Sequence, residues 1–353
     1  MLFFLERRSQ KELGASTSEF SQVSIWNKNI QLIRGIAVTL VVTSHFAHIP
    51  LLGTYGVDLF FIISGYLISS MLTAEFKNTG KINIKLFLIK RVKRLVPAAY
   101  LVIVLILVLS VLGFLPGLVS DYIKLSLGYC LYVGNIFGLL PNSPSTTAVG
   151  LGHFWTLATE MQIYFLWCVL IIPASLKLNY RFRLYLLSIG IGIVLPITVF
   201  ITAQMTETIV QRSIEVVAMF TMGTIFCFLH ERFTFNIKRL ILTFIPITCL
   251  LNLLGLLTIN PSNKVANIYI NIILVSLAFQ LLFLASLAAW TKFITYIGDF
   301  SYSLYLLHWP IYLAVGGHEA NVFELACGLI TSIGLSILSF HFVERLFWKP
   351  NRI

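Results

Sequence analysis

Charge is scarce in this chain. Only 11% of its 353 residues are Asp, Glu, Lys or Arg, against 58% hydrophobic ones, whereas a soluble globular protein carries about 25% charged residues. The shortage excludes the pair of soluble domains that length alone suggests. Cysteine is sparse as well. Cys130, Cys168, Cys227, Cys249 and Cys327 stand singly, most of them within apolar runs. With no Cys-x-x-Cys pair and no His/Cys ligand spacing, they read as small buried apolar residues rather than a disulfide framework or a metal site. Acidic residues number 14 against 25 basic ones, a net charge of +11. In so apolar a chain that excess marks loops on one side of a membrane rather than a nucleic-acid partner. There is no low-complexity linker, and residues 1–29 lack the order of a cleavable signal peptide.

What the chain does have is repeated apolar stretches of roughly 20 residues, the length of a helix in lipid. The predicted fold is an all-α polytopic membrane protein of about ten transmembrane helices. Their cores are 30–48, 56–75, 95–115, 153–174, 184–203, 214–230, 239–258, 266–289, 301–317 and 322–343. Segment 121–139 is also apolar and reads as interfacial or re-entrant. With the N-terminus in the cytoplasm, 22 of the 25 lysines and arginines fall on the cytoplasmic side, leaving only Lys124, Arg212 and Lys264 outside. That asymmetry places both termini in the cytoplasm. The domain layout is a cytoplasmic segment over 1–29, one multi-pass membrane domain over 30–346 and a short tail over 347–353.

Ionisable residues inside spans are expensive and mark function or paired structure. Arg34 and His45 lie eleven positions apart in the first span. Eleven steps of 100° are three turns plus about 20°, so the two share a helix face about 16 Å apart. His45 is a candidate acid/base group; its structural alternative is a hydrogen-bonded interfacial histidine. Arg91 and Arg94, at i and i+3 in KRVKRLVP, project to one side and suit a phosphate, or serve only as topogenic or headgroup-binding charge. Glu160, in GHFWTLATEMQIYF, is either a partner for a histidine or arginine or half of an interhelical ion pair. Asp58, in YGVDLFFIISGYLI, either bonds His45 across the turn IPLLGTYG or caps its helix. The adjacent Ser64 and Gly65 permit close helix approach. His308, in SYSLYLLHWPIY, reads as structural, in an interfacial aromatic belt.

Taken in series, these runs resemble acyltransferase family 3, the bacterial integral-membrane O-acyltransferases, over about 28–348. Arg34 and His45 match its basic-x10-His motif, Arg91 and Arg94 its RxxR, and FWTLATEMQIYFLW its W-[ST]-L-x-x-E segment. GVDLFFIISGYLI looks like its second-span signature, and YIGDFSYSLYLLHWPI and FVERLFWKP like its last landmarks. Where the family often shows two acidic residues, this chain has Glu160 followed by Met161. The chain stops after the tenth span, without the SGNH-type esterase domain that some members append.

The resemblance implies a transmembrane acyltransferase domain over 30–346. It implies acetyl-CoA as cytoplasmic donor, a hydroxyl of an extracytoplasmic glycan as acceptor, and no metal. Arg34, Arg91 and Arg94 are then expected to bind CoA. His45 is expected to act as general base, with Glu160 or Asp58 orienting it. Partners are acetyl-CoA, the glycan and membrane lipid, not nucleic acid. A surface polysaccharide or its precursor is the expected acceptor, with succinyl or longer donors and small glycoside acceptors as variants. The rival class is a transporter or lipid-glycan translocase, which would not be stabilised by CoA. A catalytically dead scaffold is a third.

Overall fold

The computed structural model describes residues 28–139, 149–171, 209–232 and 291–347, and every regular element among them is helical. Helix α1 covers 28–46 and turns through 47–49 into α2, Pro50–Thr79. Pro50 suits the first helical turn, where its missing N–H has no partner to lose. At the far end Gly80, with φ 71°, closes α2 in the left-handed conformation and donates its N–H to the Phe76 carbonyl. Asn83 then caps α3, Ile84–Val111, by accepting the Leu86 N–H at 3.0 Å. A C-terminal glycine and an N-capping asparagine three residues apart thus write the hairpin between two long helices.

The chain continues through α4, Val119–Cys130, and 3-10 turns at Gly134–Leu139 and Val149–Phe154. Helix α5, Trp155–Leu166, runs on as a π turn over Trp167–Ile171. Then come α6, Ile209–Arg232, α7, Thr291–Asp299, and α8, Ser301–Ala314. Helix α9, Val322–Ser339, opens on a capping box between Asn321 and Glu324 and ends in a π turn over Phe340–Glu344.

Among the described residues, three helices are long and apolar enough to cross a membrane: Leu52–Thr79, Ile84–Val111 and Val322–Phe347. Helices also occupy most of the expected spans at 30–48, 214–230 and 301–317, and the described part of 153–174, up to residue 171. The expected spans at 184–203, 239–258 and 266–289, and both termini, lie outside the described residues. Segment 121–139 is not one straight span. Its α4 portion has 12 residues, about 18 Å of helix against about 30 Å of hydrocarbon.

Outward faces are apolar, with Leu101, Val104 and Val108 exposed on α3 and Phe323, Ile330 and Leu338 on α9. Inward, α9 turns Gly328, Ser332, Ser336 and Ser339, a stripe of small residues that lets it lie close to its neighbours. Of the described cysteines, Cys168 and Cys227 are buried as expected, whereas Cys327 is exposed on α9.

Helices α2 and α6 make the broadest contact, and two glycines set its distance. Gly65 lies against the Phe220 carbonyl and Gly223 against the Ile62 carbonyl, so a Cβ at either position would overlap a backbone oxygen. Across the same seam Ser69 donates to Thr224 at 2.9 Å, and the Trp167 indole donates to Thr224 at 2.9 Å. Gly223→Leu is therefore expected to force the helices apart. Overpacking of this kind costs about 1–3 kcal/mol, so the thermal midpoint in detergent should fall by several degrees, with Gly223→Ala in between. An unchanged midpoint for Gly223→Leu would mean the crossing is not this tight.

Candidate active site

A cavity opens between α1, α2, α3, α5 and α8. Arg34 enters it from α1, Arg91 and Arg94 from α3, Ser64 from α2, Glu160 and Tyr164 from α5, and Tyr302 and Tyr305 from α8. The up-and-down order of the first three helices brings these arginines together. Arg34 lies near the start of α1, and Arg91 and Arg94 lie near the start of α3, with α2 returning between them. The i, i+3 spacing then sends both α3 guanidiniums to the same wall.

Arg91 and Glu160, and Glu344 nearby, are held in place. The Arg91 guanidinium lies 5.3 Å from the Phe87 ring centroid and 5.6 Å from that of Tyr164, and its Nη2 reaches Met71 Sδ at 3.0 Å. Stacking of this kind fixes the planar fork of arginine. Glu160 accepts from the Tyr164 hydroxyl, a short hydrogen bond, and from Ser64 Oγ at 3.2 Å. Glu344, buried at the end of α9, accepts from Ser303, whose oxygen in turn accepts from the Ser339 hydroxyl at 2.9 Å. Glu344 and Glu160 both act electrostatically on Arg34, so one buried and one half-buried carboxylate balance the guanidiniums.

The opposite end of the cavity is closed by Thr156 and Tyr305, whose hydroxyls are 2.8 Å apart. Behind Tyr305 lies a cluster of imidazoles. The His308 ring is 5.7 Å from that of Tyr305, 5.8 Å from that of His153 and 5.3 Å from that of His45. His45 also faces Trp309 at 4.4 Å and Tyr312 at 6.0 Å. His48 and His318 stack at 4.8 Å beyond them. Five of the chain's seven histidines thus gather at the His45 end. No group of three or more His, Cys, Asp or Glu among the described residues is placed to hold a metal ion.

Arg34 and His45 do stand on one continuous helix, and Arg34 lines the cavity with Arg91 and Arg94, as Glu160 does. His45 does not line it; it borders the far wall through His308. Asp58 is placed differently from the sequence expectation. Residues 50–57 are not a turn but the first two turns of α2, and Asp58, 1% exposed, pairs with Arg212 of α6 at 3.5 Å. His308, expected in an interfacial belt, is completely buried. Sequence reading missed Glu344, Tyr164, Tyr305 and the His308–His45 contact. Glu344 carried a legible signal, a lone carboxylate in the apolar run FHFVERLF. The tyrosines carried none, being ordinary in a chain rich in aromatics.

Compared with known proteins, residues 27–341 match the family model described as Acyltransferase domain, Acyl_transf_3. The chain belongs to this acyltransferase family. It is 27% identical over 343 residues to the O-acetyltransferase OatA of Staphylococcus aureus strain NCTC 8325 / PS 47, covering 88% of this chain and 55% of that protein. It is 28% identical over 385 residues to the protein SACOL0978 of S. aureus strain COL, covering 91% of this chain and 58% of that one. The chain therefore spans a little over half the length of the curated relatives it matches. No solved structure matches it.

Proposed function

We propose that this chain is a membrane O-acetyltransferase. It takes an acetyl group from cytoplasmic acetyl-CoA and delivers it to a hydroxyl of an extracytoplasmic glycan, a surface polysaccharide or its precursor, in the inner (cytoplasmic) membrane. One observation carries the reading. A single cavity has three guanidiniums at one end and, at the other, a wall shared with the His45 cluster. Arg91 and Arg94, with Arg34 beside them, hold the CoA phosphates, since fixed guanidinium forks match phosphate oxygens. The pantetheine arm runs past Ser64 and Leu157 towards Tyr305, along the roughly 16 Å that separate the levels of Arg34 and His45.

On the far side the acceptor meets His45 beside the half-buried Trp309 ring, an apolar plate suited to the C–H face of a sugar. His45 takes the proton of the acceptor hydroxyl as its oxygen bonds to the acetyl carbon. The C–S bond breaks, and CoA leaves as the thiol once it regains a proton. The resemblance to OatA, a protein named as an O-acetyltransferase, supports acetyl as the group transferred.

The test is transfer of label from radioactive acetyl-CoA by the full chain in nanodiscs, with and without a crude cell-surface glycan fraction. Glycan-dependent transfer and thermal stabilisation by CoA are expected. Absence of both CoA stabilisation and acetyl loss would favour the translocase reading.

A further inference from the structure

The ring next to a catalytic base decides which of its nitrogens carries the proton. Around His45 that neighbour is another imidazole, and the fold fixes its hydrogens. His308 Nδ1 lies 2.7 Å from the Tyr305 carbonyl and 3.1 Å from that of Leu304. A carbonyl only accepts, so Nδ1 bears the hydrogen, and Nε2 of the neutral ring is an obligate acceptor. That Nε2 is fully buried and has no hydrogen-bond partner.

The same logic applies to His153. Pro310 has no N–H to give the Leu306 carbonyl one helical turn back. His153 Nε2 takes that carbonyl instead, at 3.0 Å. His153 Nδ1 is thereby also left as a bare acceptor. It cannot supply the hydrogen that His308 Nε2 lacks.

The His45 and His308 ring centroids are 5.3 Å apart with planes tilted by 33°. Two imidazoles joined edge to edge by an N–H···N hydrogen bond have centroids about 5 Å apart. Hydrogen bonds of this kind tighten when substrate arrives.

We propose that His308 is a positioning residue for acyl transfer. Its Nε2 accepts one ring N–H of His45 and so holds the hydrogen away from the other His45 nitrogen, which faces the acceptor hydroxyl as a free base. This rests on the reading of His45 as the base. It gives the orienting role, expected from Glu160 or Asp58, to an uncharged ring. That suits the site, because Glu160 is engaged with Tyr164 and Ser64 among the arginines. The proton accounting is complete within the pair. His45 gains the hydroxyl proton on its free nitrogen, and the resulting imidazolium keeps its N–H···Nε2 bond to His308.

Two substitutions separate this role from simple packing. In His308→Gln the amide oxygen reaches the level of Nε2 and keeps an acceptor there. In His308→Asn the amide keeps a donor at the level of Nδ1 and supplies no acceptor at Nε2. Acyl transfer is to be measured in nanodiscs with labelled acetyl-CoA. Alongside it, the His45 tautomer is read from nitrogen NMR of histidine-labelled protein, with its signals assigned by their loss in His45→Ala. His308→Asn should lower kcat at least about tenfold, as expected when a base loses its orienting partner, and should leave His45 as a mixture of tautomers. His308→Gln should keep a single tautomer and most of the rate. CoA stabilisation should be unchanged in both, which also reports that they fold.

Equal rates and a single tautomer in both variants would overturn the proposal, as would His308→Asn outperforming His308→Gln, since the Nδ1 bond would then be what matters. If His45→Ala itself transfers acetyl normally, the base reading fails, and that outcome is distinct from either result at position 308.

Discussion

His45→Ala should lower glycan-dependent acetyl transfer by about 10²–10⁴-fold, the range that a positioned general base contributes, while leaving CoA affinity within about twofold. Both halves follow from geometry. His45 sits in the outer imidazole cluster, against His308, Trp309 and Tyr312, and does not line the cavity in which the arginines lie. Removing its ring leaves the guanidinium walls intact but takes away the group proposed to accept the hydroxyl proton. The measurement is a pair: turnover of labelled acetyl-CoA with glycan, and CoA binding by calorimetry on the same preparation. Loss of both would mean that the ring holds the helices together. Retention of both would remove His45 from the chemistry.

How much of this was legible beforehand depended on whether the signal was local. Helical periodicity fixed Arg34 and His45 on one face of α1, and an i, i+3 step fixed Arg91 and Arg94 on one wall, because both follow from the pitch of a single helix. Glu160 was legible from the expense of a carboxylate in an apolar run. Partnerships across helices were not. For Asp58 the sequence offers only local roles, a bond to His45 or a helix cap, yet the ion pair in the structure is with Arg212, 154 positions away. His308 looked like a belt residue because Trp309 and Tyr312 follow it. Its burial comes from the packing of α8 against α9 and against the Val149–Phe154 turn. Pro310 illustrates the limit well. Its missing N–H is readable from sequence, but that His153 would claim the freed Leu306 carbonyl depends on a helix more than 150 residues earlier. The seam of Gly65 and Gly223 was half legible, since Gly65 invited close approach without naming α6 as the partner.

The second large effect belongs to the arginines. Arg91→Ala and Arg94→Ala are each expected to weaken CoA binding about 10–100-fold, since a hydrogen bond to a charged group contributes about 1.5–3 kcal/mol. Their double variant should be weaker than either. At saturating acetyl-CoA, kcat should change far less, because in the proposed reading these groups meet the phosphates at the cavity end remote from His45 and are not asked to stabilise the reacting carbonyl. Arg91→Lys makes the sharper test. A lysine keeps the charge but loses the planar fork that stacks on Phe87 and Tyr164 and reaches Met71. It should therefore recover only a small part of the lost affinity. If charge alone held the phosphates, lysine would restore binding nearly in full. Comparing CoA with 3′-dephospho-CoA then says which phosphate each arginine meets. The variant that no longer distinguishes the two ligands has lost the contact to the 3′-phosphate. Should both arginine variants bind CoA like the parent protein while kcat collapses, the phosphates are held elsewhere and the cavity's guanidiniums act on the transferred group itself.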